Sequence, residues 1–216
     1  MDANQVINQV LIFAIPAVLA ITLHEAAHGY VAKHFGDSTA YMLGRVTLNP
    51  IKHIDPLGTI VVPLVTAFTG FIFGWAKPVP VNFRNLNHPK RDMLWVAAAG
   101  PGSNLAQAAI WALVAKVLLL SVPESTVRDF WFAVCEAGIF VNVMIGIVNL
   151  VPVLPLDGGR IVASLLPDRL SYAYSRLEPY GLIILVLLLV SKVLNWFLWP
   201  LITFTANGIF AAFGLK

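Results

Sequence analysis

Charged residues and cysteine are both scarce in this sequence. Only 12% of its 216 residues are Asp, Glu, Lys or Arg, whereas 58% are hydrophobic, and the mean hydropathy is +0.79. Soluble domains carry roughly 25% charged residues. The composition therefore argues against a soluble globular enzyme, a disordered chain and a nucleic-acid-binding protein. The single cysteine, Cys135, excludes an internal disulfide.

The apolar residues are grouped in long runs, which are typical of transmembrane helices. Six such segments cover about residues 6–33, 57–74, 93–121, 129–151, 178–195 and 197–213. We expect the first to be retained as a helix, because no basic region precedes it and no cleavage site follows. The sequence thus predicts an all-α polytopic membrane protein with about five to six transmembrane helices. We expect one domain over residues 1–216.

Three local patterns interrupt the predicted helices. Residues 39–48 are rich in β-formers around a glycine and predict a short membrane-associated β-hairpin. Residues 77–82 contain alternating prolines, which impose extended geometry. Trp196 and Trp199 beside Pro200 predict a corner between two helices at the membrane interface.

The basic residues predict the orientation of the chain. Ten of the fourteen lysines and arginines lie in three loops, which follow the first, second and fourth segments. The positive-inside rule places all three loops in the cytoplasm. Segment 57–74 then has cytoplasmic charge at both ends. We therefore expect it to re-enter the membrane and return, or to lie buried against the other helices, rather than to cross.

A metal-binding pattern lies inside the first apolar segment, where His24 and His28 flank Glu25. Residues four apart share a helix face, so both imidazoles can reach one tetrahedral cation. Glu25 can act as a base toward water activated by that cation. The alternative is a chance match of two core histidines. Ionisable groups inside a membrane helix are costly, however, and are usually functional.

A catalytic zinc needs a third protein ligand, and Asp157 is the best candidate. It follows the fourth segment, where Pro152 and Pro155 hold the approach extended. If segment 57–74 does not cross, Asp157 returns to the side of the membrane where His28 lies, whereas a single crossing would separate them. The charge pattern and the metal site thus require the same topology. The alternative is an ordinary Asp-Gly turn at a membrane exit.

Three motifs in this order resemble those of the site-2 protease family of intramembrane zinc metalloproteases. They are His-Glu-Ala-Ala-His at 24–28, Gly-Pro-Gly-Ser-Asn at 100–104, and Asn149 followed by Pro-Val-Leu-Pro-Leu-Asp-Gly at 152–158. The resemblance covers about residues 18–165. Residues 44–50 and 74–81 look like those of the compact bacterial and archaeal branch, and we expect no PDZ or CBS domain of the kind that larger members carry.

The resemblance implies one Zn²⁺ per chain, bound by His24, His28 and Asp157, with Glu25 as the catalytic base. It implies a catalytic core at about residues 6–165, followed by a C-terminal helix pair at about 178–213. The expected reaction is hydrolysis of a peptide bond in or near a transmembrane segment of a protein or peptide substrate.

Four further polar residues are candidates for supporting roles. Asn104 and Asn149 are expected to contact the substrate or its oxyanion, with interhelical hydrogen bonding as the alternative. His53 and Asp55 form a polar pair that could assist the site from a basic loop that we expect to be wetted. Residues 39–48 and 77–82 could hold an extended substrate by strand addition.

Two other functions remain open at this point. A divalent-cation transporter also places His and Asp at membrane depth, and a catalytically inactive metal-binding membrane protein could hold membrane helices. We expect a protein of the lipid bilayer, in a prokaryotic plasma membrane, with its site open to the cytoplasm and no nucleic-acid partner. The sequence does not predict the oligomeric state.

Overall fold

Every regular element in the described part of the chain is a helix. A computed structural model describes residues 3–56, 58, 76–191 and 193–215. The α-helices are α1 (Ala3–His34), α2 (Thr39–Met42), α3 (Pro89–Ser121), α4 (Thr126–Asn149), α5 (Asp157–Leu165), α6 (Asp168–Ser175), α7 (Gly181–Val190) and α8 (Val193–Ala212). Short 3₁₀ turns cover Pro50–His53, Phe83–Asn85 and Glu178–Tyr180.

Three of these helices are long and apolar enough to cross a membrane, namely α1, α3 and α4. This finding confirms a helical membrane protein, but the described residues do not support five to six spans. Helix α7 has only 10 residues, whereas a span needs about 20. The apolar part of α8, Trp196–Ala212, is also shorter than a full span. The predicted re-entrant segment 57–74 lies outside the described residues, apart from Gly58.

The predicted β-hairpin at 39–48 is wrong. Residues Thr39–Met42 form α2, and the backbone N–H groups of residues 42–45 bond to carbonyls three to five residues earlier. The cause is local: a carboxylate oxygen of Asp37 accepts the Thr39 N–H at 3.0 Å. Such a side-chain bond offers the backbone a helical turn in place of a strand ladder.

The predicted corner at Trp196–Pro200 is also wrong, because α8 continues through Pro200. The helical path is interrupted earlier, between the end of α7 at Val190 and the start of α8 at Val193. Beyond the proline, the side chain of Thr203 donates to the Trp199 carbonyl four residues earlier, at 2.9 Å. By contrast, residues 76–82 are in neither helix nor strand, as their prolines predict.

A glycine lets α3 and α4 pack closely together. Helices α3 and α4 run antiparallel, and Gly138 of α4 lies against the ring of Trp111 on α3. Helix α8 covers this pair, where Ile202 and Ala206 join a buried cluster with residues such as Ile139. Without a hydrophobic driving force between helices in lipid, close backbone approach of this kind is what favours association.

We expect Gly138→Ala to weaken this packing, because the new Cβ would lie 2.5–2.8 Å from ring atoms of Trp111. Overpacking of a tight contact costs about 1–3 kcal/mol. The measurement is the midpoint of thermal unfolding in detergent. Gly102→Ala is the matched control, since nothing lies within 4 Å of its new Cβ. Equal midpoints for the two variants would contradict this account of the packing.

Candidate metal centre

Helices α1 and α3 bring two histidines to one point. The helices are antiparallel, so that His28 lies beside Val96, His24 beside Gly100, and Ala20 beside Asn104. The two Nε2 atoms of His24 and His28 are 3.1 Å apart. A Cβ on Gly100 would fall within 2.6 Å of the His24 Nε2 atom. Only a glycine leaves this space open between the helices.

Asp157 reaches the histidines from the first turn of α5. Its Oδ2 lies 3.2 Å from His24 Nε2 and 3.3 Å from His28 Nε2. The next two residues, Gly158 and Gly159, pack against the backbone of residues 150–154, where any Cβ would collide. The glycines therefore let the first turn of α5 fold back closely against the loop that follows α4, which directs Asp157 toward α1.

The Nδ1 atoms of the two histidines determine whether the Nε2 atoms, which face Asp157, carry a proton. His28 Nδ1 is 2.7 Å from the Val96 carbonyl, which can only accept, so this nitrogen carries the proton. His24 Nδ1 donates to Asn104 Oδ1 at 2.6 Å. In the neutral imidazoles both Nε2 atoms are then lone-pair donors. Asp157 Oδ2 is buried and has no hydrogen-bond partner within the described residues.

The three atoms fit a metal ion. Zinc ligands at 2.0–2.1 Å in tetrahedral geometry lie about 3.3–3.4 Å apart, and the three separations here are 3.1–3.3 Å. Two imidazoles and a carboxylate, with the fourth position open, are typical of catalytic zinc. Within the described residues these three are the group whose donor atoms could hold a metal ion. The structure thus brings together the three ligands predicted from the sequence.

An open cavity of about 550 Å³ adjoins this group, and Glu25 lines it together with His24, His28 and Asp157. One wall is the extended segment 76–82, which we call the strap. Its Val79 N–H donates to Glu25 Oε2 at 2.7 Å. Another wall comes from α7, through Leu182 and Leu185. The metal-binding group therefore faces a cavity that is mainly apolar and has one carboxylate beside the ligands.

The two predicted substrate-contacting asparagines lie in different surroundings. Asn149 lines the cavity, and its Nδ2 donates to the Ile145 carbonyl at 3.0 Å. Asn104 is fully buried and does not line the cavity as the described residues form it. Its Nδ2 donates to the Ala20 carbonyl at 3.3 Å and to Asn142 Oδ1 at 3.0 Å. Substrate contact stays a prediction for both residues, and only Asn149 is placed for it.

His53 and Asp55 are not part of the group of potential metal ligands. The His53 side chain is buried, and its Nε2 lies 3.1 Å from the Thr47 carbonyl, within hydrogen-bonding distance. The neighbouring Lys52 and Ile54 are exposed, so the loop lies at the surface while the His53 side chain is withdrawn from it. Asp55 accepts the Gly58 N–H at 2.7 Å. A supporting role for this pair stays a prediction.

Two contributors were not found from the sequence. Asn142 on α4 is fully buried and extends the hydrogen-bonded chain from His24 through Asn104, and its own Nδ2 donates to the Gly138 carbonyl at 2.9 Å. Its position in an apolar helix was an available signal, by the same cost argument that marked the histidines. The role of the Val79 N–H could not be found from the sequence, because every residue except proline has a backbone N–H.

A helical membrane protein with two histidines, an aspartate and a nearby glutamate around one cavity has the chemistry of a metal-dependent hydrolase. Comparison with known proteins narrows this class. A family model for peptidase family M50 matches residues 117–191. The chain is 38% identical to YwhC of Bacillus subtilis, which bears the provisional name of zinc metalloprotease, over 92% of this chain and 89% of that protein. The chain belongs to peptidase family M50 and is a metalloprotease.

Other relatives bear similar names. The chain is 32% identical to Rip2 of Mycolicibacterium smegmatis, also provisionally named a zinc metalloprotease, over 83% of this chain and 67% of that protein. It is 23% identical to the zinc metalloprotease MJ0392 of Methanocaldococcus jannaschii, over 79% of this chain and 40% of that protein. No solved structure shows a significant match. The predicted family is thus confirmed.

We expect Gly100→Ala to abolish metal binding, because the new methyl group would occupy the space between the two Nε2 atoms. The measurement is the zinc content of purified protein. Gly102→Ala on the same helix meets nothing within 4 Å and should keep the wild-type content. Full zinc content in Gly100→Ala would show that the ion binds elsewhere.

We expect Asn142→Leu to weaken zinc affinity by about tenfold to hundredfold, as loss of an outer hydrogen bond to a ligating histidine does. The substitution leaves Asn104 free to turn away from His24. Zinc affinity is measured by chelator competition. Gln107→Leu is the matched control, because this buried carboxamide on α3 makes no hydrogen bond within the described residues. Equal zinc affinities in the two variants would contradict a role for the hydrogen bonds that link Asn142 through Asn104 to His24.

Proposed function

We propose that this metalloprotease is a zinc-dependent intramembrane endopeptidase that cleaves peptide bonds in or near transmembrane segments of other proteins. The observation that carries the proposal is the group of His24, His28 and Asp157, which lies inside a span-length apolar helix bundle and opens into a cavity with Glu25. His24 lies ten residues before the end of α1 at His34, which is about 15 Å along a helix. The reaction would therefore occur below the membrane surface.

Each residue has a separate role in the proposed mechanism. His24, His28 and Asp157 would hold one Zn²⁺ per chain, and the bound ion would supply Lewis acidity toward water and the scissile carbonyl. Glu25 would take the proton of the attacking water and return it to the leaving amine. The bond from Val79 engages one oxygen of Glu25 and leaves the other for the proton. The carboxamide of Asn149, on the cavity wall, would donate to the peptide oxyanion.

The substrate would bind in extended form, because the peptide bonds of a helix are shielded by their own hydrogen bonds. The strap is the wall suited to this role, since residues 76 and 78–81 line the cavity and cannot form a helix. Leu182 and Leu185, which line the same cavity, would offer apolar surface to the side chains of a transmembrane segment. Residues 39–48 offer no strand for such pairing, because 39–42 form α2 and 43–48 form turns and bends.

The location follows from charge and similarity. Basic residues occur at the C-terminal end of α1 and in the loops beyond it, namely Lys33, Arg45 and Lys77. Basic loops face the cytoplasm in membrane proteins. The most natural setting is the plasma membrane of a prokaryote, the kind of organism in which the named relatives occur. Water would then enter the cavity from the cytoplasm.

A divalent-cation transporter is the remaining alternative. It would use the same ligands, but it gives no reason for Glu25 to lie beside them with an oriented carboxylate. Membership of a peptidase family also favours hydrolysis over transport. No observation on the described residues favours transport specifically.

We expect Glu25→Gln to keep zinc and to lose cleavage by about 10²–10⁴-fold, the usual contribution of a general base. The measurement combines zinc analysis with cleavage of a panel of transmembrane peptides by the purified protein. Glu124→Gln is the matched control, because its carboxylate is 90% exposed. Undiminished cleavage by Glu25→Gln would reject the mechanism. Zinc flux into liposomes that persists in this variant would favour the transporter.

A further inference from the structure

The strap reaches the candidate base through one backbone group. Val79 N–H, which donates to Glu25 Oε2 at 2.7 Å, lies between two prolines that have no N–H of their own. A carboxylate on a flexible side chain needs such a donor to stay in one orientation. The strap forms no strand ladder within the described residues. Side-chain packing holds its middle, because Val79 is buried and Val81 packs against a buried cluster that includes Ala32 and Met93. Polar contacts hold its two ends.

One end of the strap is held by Asp37, which is fully buried just beyond α1. Asp37 Oδ2 accepts the Asn82 N–H at 2.6 Å, while Oδ1 accepts the Thr39 N–H at 3.0 Å and the Asn85 Nδ2 at 3.2 Å. Burial opposes ionisation, but these bonds hold the pKa of Asp37 below its usual value. Both oxygens are thus acceptors at neutral pH, and both are engaged.

The other end is held by Arg45 and the His53 backbone. Arg45 Nη2 donates to the Lys77 carbonyl at 2.9 Å and contacts the Pro78 carbonyl at 3.4 Å. The Lys77 N–H donates to the His53 carbonyl at 2.9 Å. Neither Asp37 nor Arg45 lines the cavity as the described residues form it. Their link to the site runs through the strap.

We propose that Asp37 and Arg45 are positioning residues that clamp the two ends of the strap, so that the Val79 N–H orients the carboxylate of Glu25. This inference rests on the proposed role of Glu25 as the base. The clamp acts on orientation and not on metal binding, because no strap residue contacts His24, His28 or Asp157 by a hydrogen bond within the described residues. Catalytic groups tolerate misplacement poorly, and an error of about 1 Å can cost 10²-fold in rate.

Asp37→Asn tests one end of the clamp. The asparagine side chain keeps one oxygen, which can still accept the Thr39 N–H. Its NH₂ group is a donor and would face the Asn82 N–H, which is also a donor, so the hydrogen bond to Asn82 is lost. We expect kcat to fall about tenfold to hundredfold, with KM and zinc content unchanged, on the panel peptide that wild type cleaves fastest. Asp168→Asn is the matched control, since this aspartate pairs with Lys90 at an exposed position. Zinc loss in Asp37→Asn, or wild-type kcat, would overturn the clamp.

A double-mutant cycle separates positioning from a general structural effect. Val79→Pro removes the donor to Glu25 and suits the extended backbone between its neighbouring prolines. If Asp37 acts through Val79, Asp37→Asn should cost little further kcat in the Val79→Pro background. Additive losses would overturn the proposal, because independent effects add.

Substitutions of Arg45 test the other end of the strap, and they remain informative if Asp37→Asn does not fold. We expect Arg45→Met to lower kcat with zinc retained, and Arg45→Lys, which can still donate to the Lys77 carbonyl, to recover part of it. Equal kcat in these two variants would overturn the clamp. The test of the clamp can be distinguished from the test of Glu25. Full activity of Glu25→Gln would reject the role of Glu25 as the base. An inactive, zinc-bound Glu25→Gln beside fully active clamp variants rejects the clamp alone.

Discussion

The arrangement depends on one electrostatic constraint: two imidazole nitrogens and a carboxylate oxygen lie 3.1–3.3 Å apart, and with neutral imidazoles each turns a lone pair toward the others. In a low-dielectric interior such a group is unfavourable without a cation at its centre. The surrounding structure maintains it nonetheless. Asn104 and the Val96 carbonyl take the outer imidazole protons, and Gly100 leaves the central space open. The packing of α1, α3 and α5 is best understood as the means of holding this group together.

The buried polar residues around the centre follow from the same constraint. Each asparagine in an apolar helix must find a partner, because a lost hydrogen bond is costly there. Asn104 and Asn142 solve this by bonding to each other and to helix carbonyls, and the chain ends on His24. The hydrogen bonds that satisfy these polar groups also fix the tautomer of His24, a candidate metal ligand. The same network therefore stabilises the helix packing and prepares the site.

Sequence reasoning succeeded where the signal was local or a simple count. The spacing of His24 and His28 places them on one helix face, and the loop charges predicted that Asp157 returns to their side, where the structure has it. It failed where a side-chain hydrogen bond or the position of a helix end decides the outcome. The Asp37 carboxylate turns residues 39–42 into a helix, which β-propensity does not reveal. Composition likewise gives the apolar character of α7 and α8 but not where each helix ends, so the described residues show three span-length helices where five to six spans were predicted.

The cavity takes residues from both ends of the chain, although the expected catalytic core ends at about residue 165. Leu182 and Leu185 of α7 form one wall, and Gly181 packs so closely on the Leu154 carbonyl that no Cβ fits between them. The loop that presents Asp157 therefore rests on the C-terminal helices. The strap lines the same cavity through residues 76 and 78–81. A cavity lined by apolar side chains and by a non-helical segment is suited to an unwound apolar peptide, because leucines can accept its side chains while free carbonyls of such a segment can bond its amides.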